Sequence, residues 1–246
     1  MRLKSLGCRE LLGFLVCITL VAFLTKTRAT ADEPKPADPS ASEILDRMAK
    51  VYSNCKSYRD SGVVKTLFIT RKSKWTNEKP FTTAFVRPNQ FRFEFKQGPS
   101  DKADRYIIWS NGKDVRTWWD LGRRLKKPES LDYALGVAMG VSARSSKTIP
   151  SLLMPEMDFE TRLTDIDGAK RTGNAKLGEV DCFRIDGIYA EDPITVWIDR
   201  ETYLVRQIDE KRVVNGVQTE RTTTYDPSID GPITDKMLAF DAPVDI

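Results

Sequence analysis

Gln90-Phe91-Arg92-Phe93-Glu94-Phe95-Lys96 alternates without a break: three phenylalanines point one way, and Arg92, Glu94 and Lys96 the other. Successive side chains of a β-strand leave on opposite faces, so this run predicts a strand with one face in a core and one in water. Outward from it, residues 105–110 and 113–119 are two more such runs, and Asn111-Gly112 between them is a strong hairpin signal. On the N-terminal side, 63–71 and 81–87 are rich in β-branched and aromatic residues. Toward the C-terminus, strands are predicted at 159–163, 182–189, 194–199, 203–213 and 217–225. Asn215-Gly216 turns the last pair. A short closing strand is expected to hold Leu238 and Phe240.

Two stretches break the period of two. Ser40 and Glu43 have capping-box spacing, and Ile44, Leu45, Met48, Tyr52 and Cys55 then fall on one helical face, which predicts a helix over 41–55. In the middle, 131–141 carries Leu131, Leu135, Ala138, Met139 and Val141 with two glycines, and 149–157 stays apolar but is interrupted by Pro150 and Pro155. Helix, consecutive hairpins, helical interruption and more strands predict a mainly β (α+β) fold. It would be a single curled antiparallel sheet forming an open half-barrel, with an N-terminal helix and a central helical cover over an apolar cavity.

The first residues are read as a leader. Arg2, Lys4 and Arg9 precede an apolar run from Leu11 to Leu24, and Ala29-Thr30-Ala31 supplies small residues at the two positions a signal peptidase reads. The run is shorter than the roughly 20 residues a spanning helix needs, so cleavage after Ala31 is expected in preference to a retained anchor. Residues 1–31 are thus assigned as signal peptide, 32–40 as a Pro-rich flexible lead-in, and 41–246 as one domain. The whole chain has 39 bases and 35 acids; without the five bases and one acid of residues 1–31, each count is 34. The basic excess therefore belongs to the leader and gives no reason to expect nucleic acid. Cys55 and Cys182 remain after cleavage, and an even pair in an exported chain predicts a disulfide, the alternative being two buried free thiols.

The chain has no histidine. That removes Ser-His and Cys-His nucleophile pairs, imidazole bases and His-ligated zinc, and no GxSxG, P-loop or GxGxxG is present. Asp165-Ile166-Asp167-Gly168 lacks the later acids of a calcium loop and reads as a polar turn. Glu94 shares its strand face with Arg92 and Lys96, which suits a solvated surface better than a glycosidase acid. No enzyme, cofactor or metal is predicted. Trp118-Trp119 followed by Arg123, Arg124, Lys126 and Lys127 is either a basic, solvated hairpin or a surface for lipid phosphates.

Several segments in order resemble the lipoprotein-carrier superfamily, the LolA/LolB-like proteins of the bacterial envelope. Lys56-Ser57-Tyr58 after the first helix, Arg87-Pro88-Asn89-Gln90-Phe91, Ser110-Asn111-Gly112-Lys113 with Trp118 and Trp119, and Thr148-Ile149-Pro150-Ser151-Leu152-Leu153 are similar to its motifs. So is the closing run through Thr224-Tyr225 to Phe240 and Pro243. The resemblance implies an unclosed barrel with helices over its mouth and a cavity for acyl chains, in which Arg87 and Phe91 hold the cargo-handling positions. The chain departs from a carrier in the added residues between Met157 and Asp181 and in its two cysteines. A second branch of the superfamily senses lipoproteins or binds other lipids.

The expectation is a periplasmic monomer that binds lipid or lipoprotein acyl chains. Phe91, Phe93, Phe95, Ile107, Trp109, Leu135 and Met139 would line the cavity, and Arg87 would tie the cover to the barrel or steer a headgroup. An inner- or outer-membrane protein is a further expected partner. The rival is an envelope sensor or protein-interaction module on the same fold, which a filled cavity would favour.

Overall fold

A computed structural model describes residues 38–243. The expected signal peptide, its cleavage site and most of the lead-in lie outside the described residues. Helix α1 (Ala41–Asn54) starts where the capping box places it: Ser40 Oγ accepts from the Glu43 amide at 3.3 Å, and the Glu43 carboxylate accepts from the Ser40 amide at 2.8 Å. Its buried face is Ile44, Leu45, Met48 and Tyr52.

The remaining elements are mostly strands. The first group is β1 (Ser57–Ile69), β2 (Lys74–Val86), β3 (Gln90–Lys96), β4 (Arg105–Asn111), β5 (Val115–Trp119) and β6 (Arg124–Lys126). Three short helices follow: α2 (Leu131–Ala138), α3 (Ser145–Thr148) and α4 (Pro150–Leu153). The second group is β7 (Asp167–Leu177), β8 (Val180–Tyr189), β9 (Asp192–Asp199), β10 (Val205–Val214), β11 (Val217–Tyr225) and β12 (Ser228–Ile229), and the last element is α5 (Asp235–Leu238). All twelve strands form one antiparallel sheet in the order β6-β5-β4-β3-β2-β1-β11-β10-β9-β8-β7, with β12 extending the β11 side of β1. Strands β6 and β7 end the order without meeting, so the barrel is not closed.

Register puts the apolar residues on one face. Phe91, Phe85 and Tyr58 share one rung, and Phe95, Phe81, Gly62 and Tyr225 another. Gly62 has to be glycine, because a Cβ there would collide with the Phe81 ring and the Thr224 carbonyl. All the helices except α5 cover this inner face: α1 packs on α4 and β7, and α2 packs on β4 and β5. Helix α5 and the segment after it lie on the opposite face, where Ile107, Trp118 and Ala242 form a small second cluster with Trp109 and Phe240.

Several predicted elements differ. Strands β1 and β2 pair over Ser57–Ile69 and Lys74–Val86, well beyond 63–71 and 81–87. Pro80 is tolerated in β2 because the pairing with β3 stops at Phe81 and Phe95, one residue short of it. Residues 159–163 are not a strand. The Asp165 carboxylate accepts from the Arg162 amide, and the Arg162 guanidinium donates to the Pro155 and Met157 carbonyls, so these polar groups are satisfied without a ladder. Leu238 ends α5 and Phe240 is irregular, since Trp109 Nε1 donates to the Leu238 carbonyl and Arg92 Nε to that of Ala239. Strand β7 falls where only a turn and added residues were expected; it is an exposed, bulged edge with little apolar signal.

The expected disulfide is absent: Cys55 and Cys182 are buried free thiols. Cys55 sits at the C-terminus of α1 in the inner core. Cys182 alternates with the inward Phe183 and therefore points to the other face, beside Asp199. The sheet stands between them.

Candidate functional site

The inner face carries a band of six rings across five strands. Tyr225 meets Phe81 at 5.5 Å between centroids, Phe81 meets Phe93 at 6.0 Å, and Phe93 meets Phe95 at 6.2 Å. Phe95 stacks on Tyr106 at 5.5 Å, and Tyr106 meets Trp119 edge-on at 5.5 Å. Such pairs add about 0.5–1.5 kcal/mol each beyond the area they bury. The sequence period produces this floor, because β2, β3 and β4 each contribute alternate residues from runs read as half-buried strands.

Helices α2, α3 and α4 lie over the floor, and cationic side chains hold them down. Arg87 follows the last residue of β2, and its guanidinium lies over the Phe85 ring at 5.2 Å. Its Nε donates to the Cys55 carbonyl at 3.0 Å, and Nη2 donates to the carbonyls of Leu153 at 2.9 Å and Tyr52 at 3.4 Å. These oxygens belong to the last turns of α1 and α4, where carbonyls have no partner within the helix. One side chain thus caps two helices and fastens both to the sheet. Bonds of this charged kind are worth about 1.5–3 kcal/mol each. At the other end of the cover, Lys79 Nζ donates to the Val141 carbonyl. Burial, and then the nearby Arg221, hold its ammonium pKa below the usual lysine value. Arg144 reaches Glu210 at 2.8 Å and Asp192 at 3.1 Å, and Arg221 holds the second Glu210 oxygen at 3.1 Å. Ala143 and Arg144 are both left-handed, at φ 52° and 72°, a conformation that residues with a Cβ seldom adopt.

Of the residues expected to bind ligand, Arg87, Phe91, Phe93, Phe95 and Leu135 come together between floor and cover. Leu135 and the three phenylalanines have no exposed surface. Ile107 and Trp109 do not join them. They sit at the odd positions of β4, opposite Glu94 and Arg92, and face the C-terminal segment on the other side of the sheet. Met139 ends α2 and is 37 % exposed, so it stands on the rim. Sequence reading missed Phe81, Tyr106, Trp119 and Tyr225, although each lies within a predicted strand. It also missed Lys79 and Arg144, which carry no local signal because their partners are 62 and 66 residues away.

Little space remains where the cover meets β8, β10 and β11. The space bounded by Ala143, Thr148, Leu163, Tyr189 and Tyr225 is about 10 Å³, room for about one water. A larger groove of about 420 Å³ opens between α2 and the β5–β6 edge. It reaches Tyr106 of the aromatic band, and Lys126, Lys127, Tyr133 and Val137 rim it. At the same end of the band, Trp119 Nε1 is buried without an acceptor.

Among the described residues there is no cluster of three or more acidic, cysteine or histidine side chains that could hold a metal, and no helix long and apolar enough to cross a membrane.

No family model matches the chain, and no curated protein matches it. Solved structures that it resembles include LprF from Mycobacterium bovis, at 10% identity over 82% of this chain and 97% of that one, TM-score 0.45. A LolA superfamily protein from Nitrosomonas europaea matches at 9% identity over 83% and 99%, TM-score 0.33. The MucA/MucB complex of Pseudomonas aeruginosa matches at 13% identity over 81% of this chain and 60% of that one, TM-score 0.41.

Proposed function

We propose that the protein is a periplasmic binder of lipid or lipoprotein acyl chains, which enter between the aromatic floor and the cover when α2–α4 lift. The observation that carries this reading is the latch: Arg87 fastens the last turns of α1 and α4 to the sheet through carbonyl oxygens. Lifting the cover breaks these bonds, and also the pairs of Arg144 with Glu210 and Asp192, so opening costs them as well as the packing. Each methylene then buried on the floor returns about 0.8 kcal/mol. In this reading the groove beside α2 is the mouth, and its Lys126 and Lys127 would meet an anionic headgroup.

The test is native mass spectrometry of protein purified from its own envelope, with lipid extraction. Wild type is expected to carry a stoichiometric acylated species, and Arg87→Leu to lose it. A clean apo mass that persists after incubation with phospholipid and lipopeptide would refute the reading. The packed interior favours the second reading, a protein-interaction module with no transported ligand; a stoichiometric protein complex from an apo preparation would establish that one instead.

A further inference from the structure

The long pairing of β1 with β2, and of β10 with β11, carries two hairpin tips beyond the helical cover. Register sets them side by side: Lys74, Ile69, Gln218 and Val213 form one rung, and Trp75, Phe68, Thr219 and Arg212 the next. Neither tip is built like a core. Trp75 is 47 % exposed and stacks at 5.0 Å on Phe68, and Val213 and Val214 are 70 % and 45 % exposed. Residues 67–77 contain Arg71, Lys72 and Lys74 and no acid; residues 211–219 contain Lys211 and Arg212 and no acid.

The acids near the tips are mostly engaged. Glu78 pairs with Lys65, Glu220 with Lys211, and Asp192 with Arg144 and Arg212. Glu191 on the β8–β9 turn is exposed. Arg71, Lys72 and Lys74 are exposed on the turn itself.

We infer that these paired tips dock on the surface of an anionic lipid bilayer. The surface is a projection, not a groove, so it suits a broad, deformable partner better than a peptide. Its residues divide as interfacial anchors do: an aromatic ring and aliphatic side chains to enter the headgroup boundary, ringed by bases that meet phosphate. Without the bases, two valines and a tryptophan would bury too little to hold a protein at a membrane. Without the apolar residues, the attraction would be screened by salt and give no insertion. The inference stands apart from the acyl-binding reading, since no tip residue touches Arg87.

Co-sedimentation of the purified protein with vesicles of phosphatidylglycerol mixed with phosphatidylcholine tests it. Wild type is expected to bind these and not pure phosphatidylcholine, and to be released by salt. The triple variant Arg71→Ser/Lys72→Ser/Lys74→Ser should lose about a hundredfold in partitioning, from about fivefold per base. Trp75→Ser/Val213→Ser should lose binding at equal charge. All five positions are exposed, so circular dichroism should report an unchanged fold. Binding that survives the triple variant, or is equal on neutral vesicles, would overturn the inference, as would no binding by wild type.

Discussion

At the scale of single residues, two polar groups facing the core do opposite work. Arg87 donates to three carbonyls across two helices and is satisfied. Asp60 lies on the inner face, with Oδ2 accepting from Tyr58 Oη at 2.8 Å and Oδ1 lacking a partner of hydrogen-bond geometry. Burial pushes its carboxyl up to about 6, against the opposing pull of Thr83 and Tyr58. The unfolded value is about 3.9, so between these values the folded chain binds the proton more tightly than the unfolded one. Stability is therefore greatest at low pH with respect to this group and falls as pH rises through that window. Above it, the charged form costs on the order of 2–3 kcal/mol. Asp60→Asn should raise the urea midpoint near neutral pH, with little gain near pH ~4, where the wild-type group is already protonated. An equal gain at both pH values would exclude the buried charge as the cause. Asp60 was invisible as a special residue in the sequence, because its alternation with Tyr58 inside β1 becomes meaningful only once the strand is seen to begin at Ser57.

At the scale of elements, local chemistry was legible wherever it closed within a few residues. The capping box of α1 is an example, and Ser40→Ala should cost about 1 kcal/mol in chemical denaturation, typical of an N-cap. A loss below a few tenths would mean that packing on α4 and β7 alone sets the helix start. The turn at Asn111-Gly112 is another, with Asn111 Oδ1 accepting from the amides of Lys113 and Asp114. Elements that owe their conformation to distant partners were not legible. The closing strand at Leu238 and Phe240 is replaced by a short helix and a docked segment, because Trp109 and Arg92 satisfy its carbonyls from across the sheet. Strand β7 pairs through its backbone with β8 and has no apolar period to announce it.

At the scale of the molecule, the open sheet has two faces, and which residues share a face decides the site. This is why Ile107 and Trp109 lie on the face away from Phe91, Phe93 and Phe95, while Phe81, Tyr106, Trp119 and Tyr225 share the floor. It is also why the two thiols stay apart. Burial raises both, Cys182 to about 11, so neither should react with a thiol reagent until the protein unfolds. A reducing agent should leave the thermal midpoint of the folded domain unchanged; a reductant-sensitive midpoint would show that the two are bridged.

By itself the sequence determined the strand-rich antiparallel class, the first helix, the main hairpins, the apolar stripe of β3 and the absence of imidazole chemistry. Each follows from periodicity, turn chemistry or composition, which act over a few neighbouring residues. Only the tertiary structure decided which carbonyls Arg87 holds, that Lys79 and Arg144 also pin the cover, and which residues share the floor. It alone also separated the cysteines. Those outcomes depend on which side of a sheet a residue meets after the chain has returned from dozens of positions away, and no local pattern encodes that distance.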